Sequence, residues 1–546
     1  MNYFEIYLNI TDNLNKKAVN QSWFYSFVSN RDRYGTKLQS YFYLLDLYYN
    51  QNVPIEHLKI DQYFPKNSLF SKSIKEKLYK NKDLRFISPL YYIFQFLFKI
   101  NKFIYFLLII IESIIQKYRL KNFGTQSFNP DLIFLAPLHY PIIMEDSKDF
   151  KDPYFGILIQ EEINSGKNIL LTGPEIGKNY FSLKKINENG NTKLRIFSLR
   201  SYIPFNKLIK LIYEGFKATF FPAIPVVEET NLLNGINKLI SEDYIYSLEN
   251  ILVSIVYEYC FLELFSINKC NNVIHTFENN TWEKTFLLAT KKLNISLNTI
   301  GYMHCSILDS HTKLIFTNTD LKIRPMPSKI VCTGLESKIA LLEQGEYNKL
   351  NLVDGIALRE SNLEVIDNSF KSFLNKNKRI LILLEGLPTM CDLLEIILDT
   401  IEDFNDESFF VRCHPTLPLS DKIFLKIRNH PSYNRLKVSN NKNLLDDIKE
   451  AKCVIYKGTT ASMYAAYAGL ILIRYKDKWW RSDDPLKRSN FFKREFENAK
   501  DLNNILHDVS KKSWKNNLNN IISQKKYVKS YLNNNFQDSL RSFEHN

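Results

Sequence analysis

The chain holds only seven cysteines in 546 residues, and no two form a C-x-x-C pair. That excludes a zinc ribbon and a dithiol redox motif. Cys332, Cys413 and Cys453 lie in or beside apolar runs and read as buried thiols of a reducing compartment. Glycine and proline are sparse, at 16 and 18, which argues against long flexible linkers and a collagen-like chain. There is no G-x-G-x-x-G, so a dinucleotide oxidoreductase has no support. There is no G-x-S-x-G nucleophile elbow. No D-x-D occurs, which disfavours a transferase that holds a divalent metal through that motif. Gly173–Lys178 (GPEIGK) is one residue short of a phosphate loop, and Asn179 stands where Ser or Thr is needed. It reads as a plain loop after a strand. The opening MNYFEIYLNITDN lacks a basic stretch ahead of an apolar core, so no signal peptide is expected. No repeat recurs at a 20–50 residue period.

What is present is a globular composition, 45% hydrophobic and 24% charged, unusually rich in Phe and Tyr. The length suits roughly three domains. A formal charge of +14 favours anionic partners: nucleotides, nucleic acid or an anionic membrane. The charge is spread along the chain and no nucleic-acid motif accompanies it, so no nucleic-acid partner is expected. Residues 86–120 are the most apolar stretch. Gln95, Lys99 and Lys102 interrupt it at helical spacing, and the unbroken run Phe103–Ile111 is too short to cross a bilayer. One polar stripe suits a helix lying in the membrane interface, or packed on a domain with one wet edge; a spanning helix is the alternative. Lys117, Arg119 and Lys121 would favour anionic lipid.

Residues 1–125 read as a helical, aromatic-rich region. From Asn129-Pro130 onward, short apolar runs alternate with helical patterns. Strands are expected at Leu132–Ala136, Asn168–Thr172, Thr219–Ala223, Asn272–Thr276 and Asn298–Met303, with helices at Phe155–Ser165, Tyr244–Phe265 and Thr281–Leu293. The alternation restarts at Lys329. Strands follow at Lys329–Thr333, Arg379–Leu384, Ser408–Cys413, Arg435–Val438, Cys453–Tyr456 and Leu470–Ile473, interleaved with helices. This implies two doubly wound, parallel α/β domains, about 126–325 and 326–510, with a cleft between their carboxyl edges. A basic helical tail spans 511–546.

The chemistry-bearing residues gather at strand ends. Arg412-Cys413-His414-Pro415 ends one strand; Pro415 fixes the turn, and His414 is placed to bond a phosphate or protonate a leaving group. Lys457-Gly458-Thr459-Thr460-Ala461-Ser462 follows another strand and opens a helix, whose free N–H groups favour an anion. Glu385-Gly386 closes a third, where a carboxylate suits a ribose hydroxyl or a base. His275–Lys284 holds two carboxylates, Glu278 in the loop and Glu283 in the first helical turn. A first-turn Glu commonly compensates the helix dipole, so Glu278 is the preferred general base and Glu283 the alternative. Gly301-Tyr302-Met303-His304 delivers His304 to the same edge.

These segments carry a resemblance. FENNTWEKTF followed by TIGYMHCSI is similar to bacterial surface-carbohydrate biosynthesis proteins related to lipopolysaccharide and capsule glycosyltransferases. His414-Pro415 and Thr459-Thr460 resemble the H-P and paired Ser/Thr motifs of bacterial sialyltransferases and capsular Kdo transferases, where they hold the CMP of a CMP-sugar. Glu385-Gly386 departs from the acidic-acidic-Gly motif, because Leu384 replaces the first acid. The resemblance covers about residues 130–480. It implies a metal-independent transferase of GT-B type, with two facing Rossmann-like domains. The C-terminal domain would bind a nucleotide-sugar, CMP-linked by this likeness, and the N-terminal domain a glycan or lipid-linked acceptor. Catalysis falls to Glu278, Glu283 and His304. Donor binding falls to Glu385, Gly386, Arg412, His414, Pro415, Lys457, Gly458, Thr459, Thr460 and Ser462. The expected site is the inner face of the cytoplasmic membrane, in peripheral contact with anionic lipid. Rival readings are a CDP-alcohol-dependent glycerophosphate-type transferase, a nucleotide-sugar epimerase or hydrolase, and a non-catalytic assembly protein.

Overall fold

The computed structural model describes residues 2–544 apart from 20, 33–35, 55–57, 59–88, 121–127, 140–151, 177–192, 229–234, 359–378, 388, 415–416, 442, 478, 511–517 and 536–539. Pro415, Lys121 and the end of the GPEIGK segment lie outside the described residues.

Two parallel sheets organise the chain. The first comprises β1 (Leu132–Leu135), β2 (Ile169–Gly173), β3 (Leu194–Ser198), β4 (Asn272–Thr276), β5 (Asn298–Tyr302), β6 (Lys329–Cys332) and β7 (Leu352–Asp354), in the spatial order 3-2-1-4-5-6-7. The second comprises β8 (Arg379–Leu383), β9 (Ser408–Arg412), β10 (Leu436–Val438), β11 (Ala451–Tyr456), β12 (Ile471–Tyr475) and β13 (Arg494–Phe496), in the order 10-9-8-11-12-13. Renumbered from its own first strand, the second sheet repeats 3-2-1-4-5-6, the doubly wound Rossmann order. All pairings within both sheets are parallel, and helices connect most of the strands. The near-continuous apolar runs along β1, β2, β8 and β11 are what a sheet covered on both faces requires.

Each sheet reverses its winding once, between β1 and β4 in the first and between β8 and β11 in the second. Those switch points open crevices at the carboxyl ends of the strands. The two carboxyl edges face each other. Ser306, just past β5, and Thr460, just past β11, touch hydroxyl to hydroxyl at 2.8 Å. Asp309 extends the contact: its Oδ1 pairs with Arg488 at 2.7 Å, and its carbonyl accepts from Arg481 Nε at 2.7 Å. Two Rossmann-like domains facing across a cleft make the fold α/β of GT-B type.

Several expectations change. The segment Thr219–Ala223 is not a strand: Thr219 and Phe220 end the helix Leu208–Phe220, because the apolar positions recur at helical spacing. The expected helix Tyr244–Phe265 is two, Ile236–Tyr246 and Leu248–Ile267, meeting at Ser247. The strand at Lys329 pairs with β5 and so completes the first sheet rather than opening the second. β3, β7 and β13 went unread because they are short or carry alternating polar residues. The helix Leu518–Tyr531 in the basic tail ties the two domains together. Tyr531 Oη accepts from Ile307 N at 2.7 Å and its carbonyl from Thr333 Oγ1 at 3.0 Å, while the helix also packs on Ala461–Tyr467.

The N-terminal helices α1 (Tyr3–Lys17) and α2 (Lys37–Tyr49) are built into the first domain's core. Arg31, at φ 54, sends a buried guanidinium to Asp12, to Asp320 at 2.7 Å and to the Ile315 carbonyl at 2.9 Å. Asp320 also binds Arg324 at 3.0 Å.

The apolar run forms one helix, α3 (Pro89–Leu120). Its polar stripe, expected to face water, faces protein instead. Gln95 donates to Glu242, Lys102 pairs with Glu249 at 2.5 Å, and Gln116 donates to Glu175 at 3.0 Å. The reason is that neighbouring helices supply Glu242 and Glu249, and the short strand Glu175–Ile176 supplies Glu175. The large side chains of Tyr92, Phe94, Leu97, Ile104, Leu108, Ile111 and Ile115 are left exposed. Only 17% of the most apolar part of this helix is buried against the protein.

Candidate active site

The loop leaving β4 is shaped by the helix it enters, α4 (Thr281–Leu293). Glu283, in the first turn, reaches back and accepts from Asn280 N at 2.8 Å and Glu278 N at 3.0 Å, and Thr276 Oγ1 donates to it at 3.0 Å. This is a capping box. Asn279 adopts φ 60, which asparagine tolerates, and its amide donates to the Lys313 carbonyl. The result turns Glu278 away from the helix. Its side chain is 26% exposed, whereas Glu283 is buried.

Glu278 is surrounded by donors. His304 Nε2 lies 3.0 Å from Oε1, Lys313 Nζ lies 3.4 Å from Oε2, and Asn280 Nδ2 lies 3.2 Å from Oε2. Burial alone would raise its pKa. The Lys313 charge and the bonds from His304 and Asn280 outweigh burial and hold the carboxyl well below the usual carboxylate range. Glu283 goes the other way: burial, with the Glu278 charge beside it, pushes it up to about 8. Two carboxylates five positions apart are thus separated by environment into a partly exposed anion and a buried structural cap. His304 is buried beneath the edge of the Tyr154 ring, 4.8 Å between centroids, and its Nδ1 has no hydrogen-bond partner among the described residues.

Lys313, Asn280 and Tyr154 were not singled out in the sequence. Asn280 sits inside a quoted motif. Lys313 and Tyr154 are distant in sequence and carry no local signal.

In the second domain the expected donor residues divide. Glu385 and Gly386 follow β8, and Lys457-Gly458 follows β11, so both sit at the switch point. A Cβ on Gly458 would stand 2.3 Å from the Asp483 carbonyl oxygen and 2.7 Å from Glu385 Oε1, so only glycine lets these chains meet. Lys457, one of the expected donor-binding residues, already has its counter-ions. It is buried, pairs with Asp477 at 2.9 Å and Asp483 at 3.0 Å, and braces the loop. Arg412 is also committed, to Asp447 at 2.5 Å and the Asn441 carbonyl at 3.0 Å. Thr459 Oγ1 accepts from Ala461 N at 3.3 Å, and Ser462 is buried, its hydroxyl donating to the Thr459 carbonyl at 2.8 Å. Thr460 meets Ser306. His414 stands exposed at the end of β9.

No family model matches the chain, and no curated protein matches it. Among solved structures it is similar to UDP-GlcNAc 2-epimerase from Neisseria meningitidis, at 10% identity over 73% of this chain and 94% of that one, TM-score 0.38. It is similar to MurG from Acinetobacter baumannii, at 8% identity over 75% and 96%, TM-score 0.40. It is also similar to the glycosyltransferase SnogD from Streptomyces nogalater, at 13% identity over 74% and 95%, TM-score 0.38. The assignment of the fold rests on strand order and connectivity.

Proposed function

We propose that this chain is a glycosyltransferase that moves a sugar from a nucleotide-sugar to a glycan or lipid-linked acceptor, for bacterial surface polysaccharide. Glu278 is the base that takes the proton of the acceptor hydroxyl as that oxygen bonds to the sugar and the nucleotide phosphate leaves. The observation that carries the reading is the placement of Glu278: an accessible carboxylate at the switch point of one Rossmann-like sheet, on the edge that faces the other. His304 and Lys313 orient it. The donor lies across the cleft, at the Glu385-Gly386 and Gly458–Thr460 turns with His414. The likeness of His414-Pro415 and Thr459-Thr460 to sialyltransferase and Kdo-transferase motifs supports a CMP-linked donor.

The exposed face of α3 supports a membrane partner. Beside it, the helix Leu208–Phe220 leaves Ile209, Ile212, Tyr213 and Phe216 in one exposed stripe, with Lys210 and Lys217 on the flank. A polar stripe bonded inward and an apolar stripe turned outward, flanked by lysines, suit the headgroup region of an anionic bilayer. The protein then works at the cytoplasmic face of the membrane.

The test is a panel of CMP-, CDP-, UDP- and GDP-linked donors, followed first by thermal shift and then by transfer to an added glycan acceptor. Stabilisation by the CMP-linked donor and acceptor-dependent consumption are expected. Consumption without acceptor would replace the reading with an epimerase or hydrolase, and turnover of a CDP-alcohol would replace it with a glycerophosphate-type transferase.

A further inference from the structure

Lys313 and Asn280, which hold Glu278, also line a cavity of about 330 Å³ that no expected site residue borders. That volume is at the low end for small-molecule sites. Three separate parts of the chain close around it. The N-terminal segment supplies Phe27 and Asp32, the helix Leu248–Ile267 supplies Asn250, and the start of α4 supplies Trp282. The N-terminal segment is not a free flap. Arg31, next to Asp32, is locked in its buried ion cluster, and Asn250 Nδ2 donates to the Tyr25 carbonyl at 2.8 Å.

The lining selects a chemical class. Its charges are one carboxylate, Asp32, and one ammonium, Lys313, already facing Glu278 and the Asn280 oxygen at 2.7 Å. A phosphate or nucleotide would find no surplus cation there. A hydrocarbon would take the charges of Asp32 and Lys313 and the polar edges of Asn30, Asn250 and Asn280 out of water with nothing in exchange. Aromatic residues Phe27, Tyr257 and Trp282 together with amides and hydroxyls that donate and accept are a lining that matches an uncharged polyhydroxylated ring.

We infer that this cavity binds a neutral sugar ring of the acceptor, and that the N-terminal segment is therefore part of the acceptor site. The inference rests on the transferase reading for the word acceptor, but the sugar site itself does not. The Lys313–Asn280 wall it shares with Glu278 sets the bound ring one side chain from the base.

The experiment is saturation-transfer difference NMR on the full chain, with methyl glycosides of glucose, galactose, mannose and N-acetylglucosamine as probes. At least one is expected to be saturated at its ring C–H protons. Trp282→Ala should reduce that signal at least fivefold, and Trp282→Phe should restore part of it. If Trp282→Ala melts early, Asp32→Asn takes its place with the same expected loss. Absence of saturation from all four probes, or an equal signal in a stably folded Trp282→Ala, overturns the sugar site. Sugar binding with no transfer from any donor leaves the site standing and overturns the transferase reading. Transfer by Trp282→Ala with an unchanged acceptor KM overturns the site and leaves the transferase reading standing.

Discussion

Ser306 and Thr460 meet across the cleft, 154 positions apart in sequence, with 2.8 Å between their hydroxyl oxygens. Each follows the carboxyl end of a strand, one in each sheet. Their contact brings the edge carrying Glu278 and His304 against the edge carrying Gly458 and Thr459. The proposed transfer needs this closeness, since it takes the base from one domain and the leaving phosphate from the other.

Glu278→Gln keeps the shape of the side chain and one acceptor oxygen but removes its charge and its basicity. Transfer by the folded protein should fall by about 10²–10⁴, with donor binding close to that of the parent and a melting temperature lowered only by the loss of the Lys313 pairing. Glu283→Gln disturbs the buried capping box instead. It should lower the melting temperature, with any loss of activity following the loss of folded protein. Paired measurements of rate and thermal unfolding separate the two roles. A fully active Glu278→Gln would remove Glu278 as the base.

The depressed pKa of Glu278 has a consequence for the pH profile. The carboxylate stays ionised well into the acid range, so the base limb of transfer should extend to low pH. Lys313→Met removes the nearest charge that, with the His304 and Asn280 bonds, opposes burial, and the pKa of Glu278 should rise. The acid limb of kcat/KM should then move to higher pH while the alkaline limb stays in place. For stability the sign is the same. A carboxyl whose folded pKa lies below its unfolded value contributes stability above the unfolded pKa, and this is lost as pH falls through the folded pKa. Lys313→Met should narrow that contribution, which acid unfolding followed by circular dichroism would detect.

Arg31→Ala should be strongly destabilising. It leaves Asp12 without its guanidinium and Asp320 with Arg324 alone, and breaking a buried pair by removing one partner costs about 3–5 kcal/mol. Chemical denaturation is expected to show the loss. Because Arg31 adjoins the cavity-lining segment, the remaining folded protein should also bind neutral sugars less well.

The double substitution Ile209→Glu and Phe216→Glu places two charges on the outward stripe of Leu208–Phe220, away from the core. Co-sedimentation with vesicles containing phosphatidylglycerol should drop sharply while soluble transfer to a water-soluble acceptor stays at parent level. High salt should weaken the parent's binding only in part, since the apolar contribution is not screened. Unchanged vesicle binding would count against this face.

Local patterns carried much of this protein in the sequence alone. Apolar runs of four to six residues marked strands because a parallel sheet is buried on both faces, and the strand Asn272–Thr276 and helix Thr281–Leu293 could be read to the residue. The same patterns placed Glu278, His304, Glu385 and Gly458 at strand ends, because the chemistry-bearing residues follow the apolar runs directly. Pairing and burial decided the rest. Nothing local distinguishes Lys457 as a bound counter-ion from Lys457 as a free cation; Asp477 and Asp483 do, and they are 20 and 26 positions away. Whether Lys329–Cys332 opened the second domain or closed the first depended on its hydrogen bonds to β5. Helical spacing showed that Gln95 and Lys102 share a face, but which face turned inward depended on Glu242 and Glu249 waiting on neighbouring helices. Lys313 reached Glu278 only through the fold. Periodicity is a property of neighbours along the chain, whereas an ion pair, a sheet neighbour and a cavity wall are properties of residues brought together from far apart.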